Sequence, residues 1–173
     1  NHANELQPKL LQFGYIFCLL GFGTKAGVFP LHTWLPDAHS EAPAPASALL
    51  SGALLNCALF AICRVTEIIQ VSGHSFFATF LPITWGALTA LAASFFLIHQ
   101  IGIKRLWAYS SIENVGIMLV AIGLGSPPLF FFQALNHSLA KVALFLLSGN
   151  IIQSAGTNDL KHIRGILQVS PSW

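Results

Sequence analysis

LFFFQALNHSLAKVALFLLSGNII, residues 129–152, is the stretch on which the fold turns. As an α-helix of 1.5 Å rise per residue it extends ~36 Å, longer than the roughly 30 Å hydrocarbon core of a bilayer. Inside this apolar run Gln133, His137 and Lys141 recur at i, i+4 and i+8, and Ser148 continues the same face at i+15. The run therefore reads as a membrane-spanning helix with one polar stripe, which needs a protein or aqueous surface to face.

Four further apolar segments precede it: residues 10–31, 44–62, 76–98 and 106–124. Each is long enough to span as a helix, and the connections between them are punctuated by Pro and Gly. The expected fold is an all-α polytopic bundle of about five transmembrane helices, residues 1–173 forming one partial transmembrane domain. After residue 152, GTNDLKHIRGILQ mixes charge with Leu160, Ile163 and Ile166, which predicts a short interfacial helix over 157–168. Lys104, Arg105, Lys161 and Arg164 gather on one side and Lys9 and Arg64 on the other. By the positive-inside rule this puts the N-terminus outside and the PLHTWLPDAHSE loop inside.

Composition agrees. Charged residues make up 8% of the chain and hydrophobic residues 54%, with a mean hydropathy of +0.68; a soluble domain carries about 25% charge. Eight basic and six acidic residues, a net charge of +2, leave no basic stripe for a nucleic acid. The partner is lipid. Cys18, Cys57 and Cys63 lie inside apolar runs without a C-x-x-C and read as small buried hydrophobes. The opening NHANELQPKL has neither a starting Met nor a signal-peptide pattern, so the chain reads as an internal piece of something longer.

Three spans carry ionisable side chains away from their ends: Lys25, Glu113, and His137 with Lys141. Each charge costs about 2.5–3.5 kcal/mol on insertion scales. Snorkelling to the headgroups is the bland alternative, and it suits Glu113 and Lys141 least, deep as they are. Small polar residues that merely glue helices account for Ser148 or Asn136 taken alone. They do not account for His137 above Lys141, two groups able to exchange protons. Arg105, Tyr109 and Glu113 form a parallel ladder in the fourth span, and the short GSPP connection makes Lys141 the expected partner of Glu113.

Lys25 sits in GFGTKAGVFP, where Gly21, Gly23, Gly27 and Pro30 weaken the helix, so the first span is expected to break there and border a wet path. This glycine pattern has no GK[ST] and is neither a P-loop nor a Rossmann fingerprint, which excludes nucleotide binding. The following loop gathers His32, Asp37, His39 and Glu41 without zinc-type spacing. These four are candidates for a proton entrance rather than a metal centre, a plain connector being the other reading of the loop.

Three motifs in order, TKAGVFPLHTWLPDAHSEAPAPASALLSGALLN, IKRLWAYSSIENVG and LNHSLAKVALFLLSGNI, resemble the antiporter-like membrane subunits of respiratory complex I, of membrane-bound hydrogenases of the formate hydrogenlyase type and of multisubunit sodium/proton antiporters. The resemblance covers nearly the whole chain. It implies a fragment of a larger inverted-repeat fold, equivalent to its seventh to eleventh helices. Lys25 then falls on the broken-helix lysine, a central proton carrier, His137 on the histidine of the second half-channel, and Lys141 on a lysine found in some members. Asn56 stands where many quinone-reductase subunits of the family have lysine or histidine, and Asn114 where many have histidine. LLN together with AYSSIEN is more similar to the hydrogenase-associated members, and the family's remaining charged partners would lie before Asn1 and after Trp173.

The resemblance implies a proton-translocating subunit of an energy-coupling oxidoreductase complex, with no redox centre or cofactor of its own. It would work beside other membrane subunits in the inner (plasma) membrane of a prokaryote. A sodium/proton antiporter subunit is the alternative. A membrane metalloenzyme built on the His32–Glu41 loop and a purely structural scaffold are readings from other classes.

Overall fold

The computed structural model describes residues 8–163. It is helical: α1 (Pro8–Ala26), α2 (Trp34–Glu41), α3 (Ala44–Leu49), α4 (Leu55–Val71), α5 (Ser75–Leu97), α6 (Ile103–Gly123) and α7 (Pro127–Ala155). α3 and α4 are one rod, joined by a π-helical turn at Leu50–Leu54. Among the described residues four helices, Ala44–Val71, Phe76–Leu97, Ile103–Gly123 and Pro127–Ala155, are long and apolar enough to cross a membrane; the first of the five expected segments is not one of them.

The first apolar segment ends as a helix at Ala26, short of the expected residue 31. Gly27 takes φ +76°, a left-handed value that suits glycine and stops the helix; a Cβ there would also stand 3.0 Å from Leu35. The backbone groups freed by the break find side chains. Trp34 Nε1 donates to the Thr24 carbonyl at 2.9 Å, Phe29 N–H donates to Thr89 Oγ1 at 3.2 Å, and Trp85 Nε1 donates to the Phe29 carbonyl. Irregular backbone at membrane depth is tolerated on this condition.

α6 is the centre of the core. Its Ile112, Val115, Met118 and Leu119 are buried with Leu55, Leu59 and Ile62 of α4 and Tyr15 and Leu19 of α1. α5 packs closely on α6 through glycine: a Cβ on Gly86 would lie 2.6 Å from the Gly116 carbonyl, and a Cβ on Gly116 would lie 2.6 Å from that of Gly86. Small residues let membrane helices meet backbone to backbone. Leu88, Leu91 and Phe95 of α5 and Leu135 and Leu139 of α7 are exposed on the outside of the described bundle.

Residues 157–163 are non-helical, with a turn over 160–162, rather than the expected interfacial helix, and 164–168 lie outside the described residues. Asp159 makes an isolated antiparallel bridge to Gly102; Ile103 N–H donates to the Asn158 carbonyl (3.1 Å) and Leu160 N–H to that of Ile101 (3.0 Å). The loop's own polar side chains capture its backbone, Lys161 N–H bonding Asp159 Oδ1 at 2.9 Å, so the helix is not needed to satisfy it. The segment straps the start of α6 in place.

Candidate functional site

A polar seam runs where the α3–α4 rod meets α6 and α7. Ser51 and Ser111 share a hydrogen bond of 2.8 Å. Asn56 Nδ2 donates to Ser138 Oγ (2.7 Å) and to the Gly52 and Ala134 carbonyls, while Ser138 Oγ donates to the Gly52 carbonyl (2.6 Å). Gly52 lies in the π turn, so this side-chain network serves the one irregular stretch of the rod. Gln133 Nε2 donates to Asn114 Oδ1 at 2.7 Å. Both asparagines, at positions where the resemblance places titratable residues in many members, are thus hydrogen-bonding links between helices.

His137 and Lys141 are buried in this seam at 2% and 3% exposure. Lys141 Nζ donates to the Trp107 carbonyl at 3.4 Å and stands 5.5 Å from the centre of the Trp107 indole. That indole face is an attractive site for a cation. Neither ring nitrogen of His137 has a hydrogen-bond partner.

His39, at the far end of α2, joins them. It is fully buried, its ring stacked on Phe145 of α7 at 4.5 Å between centroids and 13° between planes, and both its nitrogens are unpartnered. Lys141 and His137 are near enough to act on it electrostatically. Two imidazoles with four unpaired nitrogens beside one ammonium are a costly thing to bury, at about 1–3 kcal/mol for each unsatisfied group.

His39 lies in the connector outside the candidate spans, and burial, then the charges of Lys141, His137 and Lys104, push its imidazole down to about 4. An unfolded histidine titrates near 6.5. Below that pH the unfolded chain binds a proton that the folded one refuses, so stability present above about 6.5 is lost as pH falls toward 4. Hydrogen exchange of the α2 amides, corrected for intrinsic rates, should therefore speed up across that window, and His39→Leu should flatten the response. Constant protection in the parent protein would contradict this.

Glu113 is placed differently from expectation. It accepts from Ser94 Oγ of α5 at 2.9 Å, and no ion pair joins it to Lys141 among the described residues. The reason is helical phase: Trp107 and Asn114, seven residues apart, face α7, and Glu113 stands about 100° round the helix from Asn114. A short connection makes two helices neighbours without choosing which faces meet.

Lys25 is also apart. Its exposed side chain borders an open groove of about 540 Å³ lined by Ala46, Leu49, Leu50, Ala53, Leu54 and Cys57. These belong to the face of the α3–α4 rod that turns away from Ser47 and Ser51. The rod therefore stands between Lys25 and the seam.

The four loop residues diverge as well. His32 is buried against Phe29 (5.4 Å), Phe96 (5.7 Å) and Tyr109 (6.2 Å), and burial lowers its pKa. Asp37 pairs with Arg105, and Glu41 is exposed. Of the four, His39 alone reaches the seam. Ser51, Ser111, Ser138 and Trp107 belong to the site without having been singled out by sequence. Trp107 acts through its carbonyl and indole, which no polar-residue pattern marks.

The sequence profile described as NADH:quinone oxidoreductase/Mrp antiporter, TM, matches residues 2–173. A hydrogenase-4 component F homolog of Methylacidiphilum infernorum is 42% identical over 99% of this chain and 37% of its own length. An NAD(P)H-quinone oxidoreductase chain 4 of Microcystis aeruginosa is 36% identical over 91% of this chain and 29% of its own. The chain thus spans about a third of the curated relatives it matches. Among solved structures, that of the membrane-bound sulfane sulfur reductase, an archaeal respiratory membrane complex, superposes with a TM-score of 0.85 at 28% identity over 94% of this chain and 34% of the matched one.

Proposed function

The chain belongs to the NADH:quinone oxidoreductase/Mrp antiporter transmembrane family, and from that premise we propose that it is a proton-translocating part of an energy-coupling oxidoreductase complex in a prokaryotic plasma membrane. Other membrane subunits of the complex are its partners, and the redox chemistry belongs to them. The observation that carries this reading is the buried set of His39, His137 and Lys141, with unpaired imidazole nitrogens beside an ammonium. A neutral imidazole offers one donor and one acceptor and can accept a proton at one ring nitrogen while releasing the proton held on the other.

In the proposed relay Lys141 holds a proton against the Trp107 carbonyl and exchanges it with His137, one turn earlier on α7. His39 extends the seam toward the α2 connector. Lys25 serves a separate segment on the other side of the α3–α4 rod, and Glu113, hydrogen-bonded to Ser94, is the carboxylate of the fourth span, on the α5 side of α6. His32, Asp37 and Glu41 are assigned no step.

A sodium/proton antiporter subunit is the second reading, favoured by the Mrp antiporters in the same family description. Proton uptake by inverted membrane vesicles carrying the whole complex separates the two. We expect it to be unaffected by sodium and to fall about tenfold or more in His137→Gln, with electron transfer retained. Uptake that needs a sodium gradient would favour the antiporter, and an undiminished His137→Gln variant would remove the relay.

A further inference from the structure

α2 has only two turns, too few to be stable as an isolated helix. The direction in which it points His39 must be set from outside. Two consecutive residues at the start of α6 reach it: Lys104 Nζ donates to the Ala42 carbonyl at the C-terminal end of α2 (2.8 Å), and Arg105 Nη2 donates to the Asp37 carboxylate in its first turn. The contacts are five residues apart along α2, about 7.5 Å of rise, so together they fix its tilt as well as its position. Asp37 and His39 are two residues apart, roughly 200° round the axis. The ion pair therefore grips the face opposite the one that presses His39 onto Phe145.

The grip has a fixed base. The start of α6 is tied to the segment after α7 through the Asn158 and Ile101 carbonyls, and Gly102 keeps that strap close, its missing Cβ lying 3.4 Å from Asn158 Nδ2. At the other end, Ser47 Oγ donates to the His39 carbonyl at 3.1 Å, and Leu35 is fully buried. The ion pair itself is solvent-accessible, with side chains 48% and 68% exposed, so it adds little to global stability. Its effect is directional.

We infer that Lys104 and Arg105 are positioning residues, a clamp that seats His39 against Phe145 beside His137 and Lys141. The inference builds on the proton reading of that site, but the seat can be measured without it.

The test uses the full-length protein in its complex, with diethyl pyrocarbonate as a histidine-selective probe and mass spectrometry to resolve the modified site. In the parent, His39 should be protected. Arg105→Ala or Asp37→Asn should raise its labelling about two- to five-fold, the size an exposed charge pair can supply, and adding Lys104→Met should raise it further, to about tenfold. The charge-reversed double variant Asp37→Arg with Arg105→Asp should return labelling toward the parent value, which a general loosening of the fold would not do. Labelling unchanged in the single variants, or not restored by the reversal, would overturn the clamp. Labelling that responds and recovers while proton uptake never changes would uphold the clamp and count against His39 as part of the proton path.

Discussion

Lys25→Ala is expected to abolish nearly all proton translocation while the complex still assembles. Lys25 closes α1 just before the break at Gly27, and its side chain stands in an open groove rather than in the packed core. Truncating it opens no cavity, so yield and thermal stability should stay near the parent values. The loss would come from removing the one titratable group on this side of the α3–α4 rod that the proposed relay uses. Lys25→Arg should fail almost as completely, because a guanidinium keeps its proton at any working pH. Quenching of a pH-sensitive dye in inverted vesicles reads the effect, and either variant pumping at more than half the parent rate would remove Lys25 from the path.

Lys141→Met should have a comparable effect on transport and an opposite one on stability. Methionine fills much the same volume without the charge, and exchanging a buried ionic group for a well-packed apolar one is often neutral or stabilising by about 1–4 kcal/mol. The Trp107 carbonyl that Lys141 now engages remains within α6, where its helical bond persists. We therefore expect a Tm equal to or above the parent's, together with proton uptake close to background. A structural ammonium predicts the reverse, a fallen Tm with poor assembly, so the paired measurement decides between the two roles.

Much of this is legible in the amino-acid sequence. Spanning helices follow from apolar length, the break just after Lys25 from its crowd of glycines, and the stripe on α7 from the spacing of Gln133, His137 and Lys141; all reflect interactions along one segment. What escaped depends on how two segments meet. Glu113 turned to Ser94 because helical phase, not proximity in the chain, chose its neighbour. His39 looked like one of four loop residues, yet it left His32, Asp37 and Glu41 to enter the seam, since α2 folds back over α6 and α7. The mixed polarity of 157–168 suggests an interfacial helix, whereas the bridge to Gly102 is a contact between residues far apart in sequence.

The π turn at Leu50–Leu54 has a consequence for how the rod from Ala44 to Val71 is oriented. In an unbroken α-helix Ser51 and Asn56 would stand roughly 140° apart; here both are bonded into the seam, to Ser111 and Ser138. The widened turn is a dislocation in the thread of the helix, and it separates the aim of the first half from that of the second. The first half carries Ser47 and Ser51 beside the buried histidines, while the second seats Leu55, Leu59 and Ile62 in the core. One helix thus obeys two orientations at once, and losing a single residue from residues 50–54 would force a choice between them.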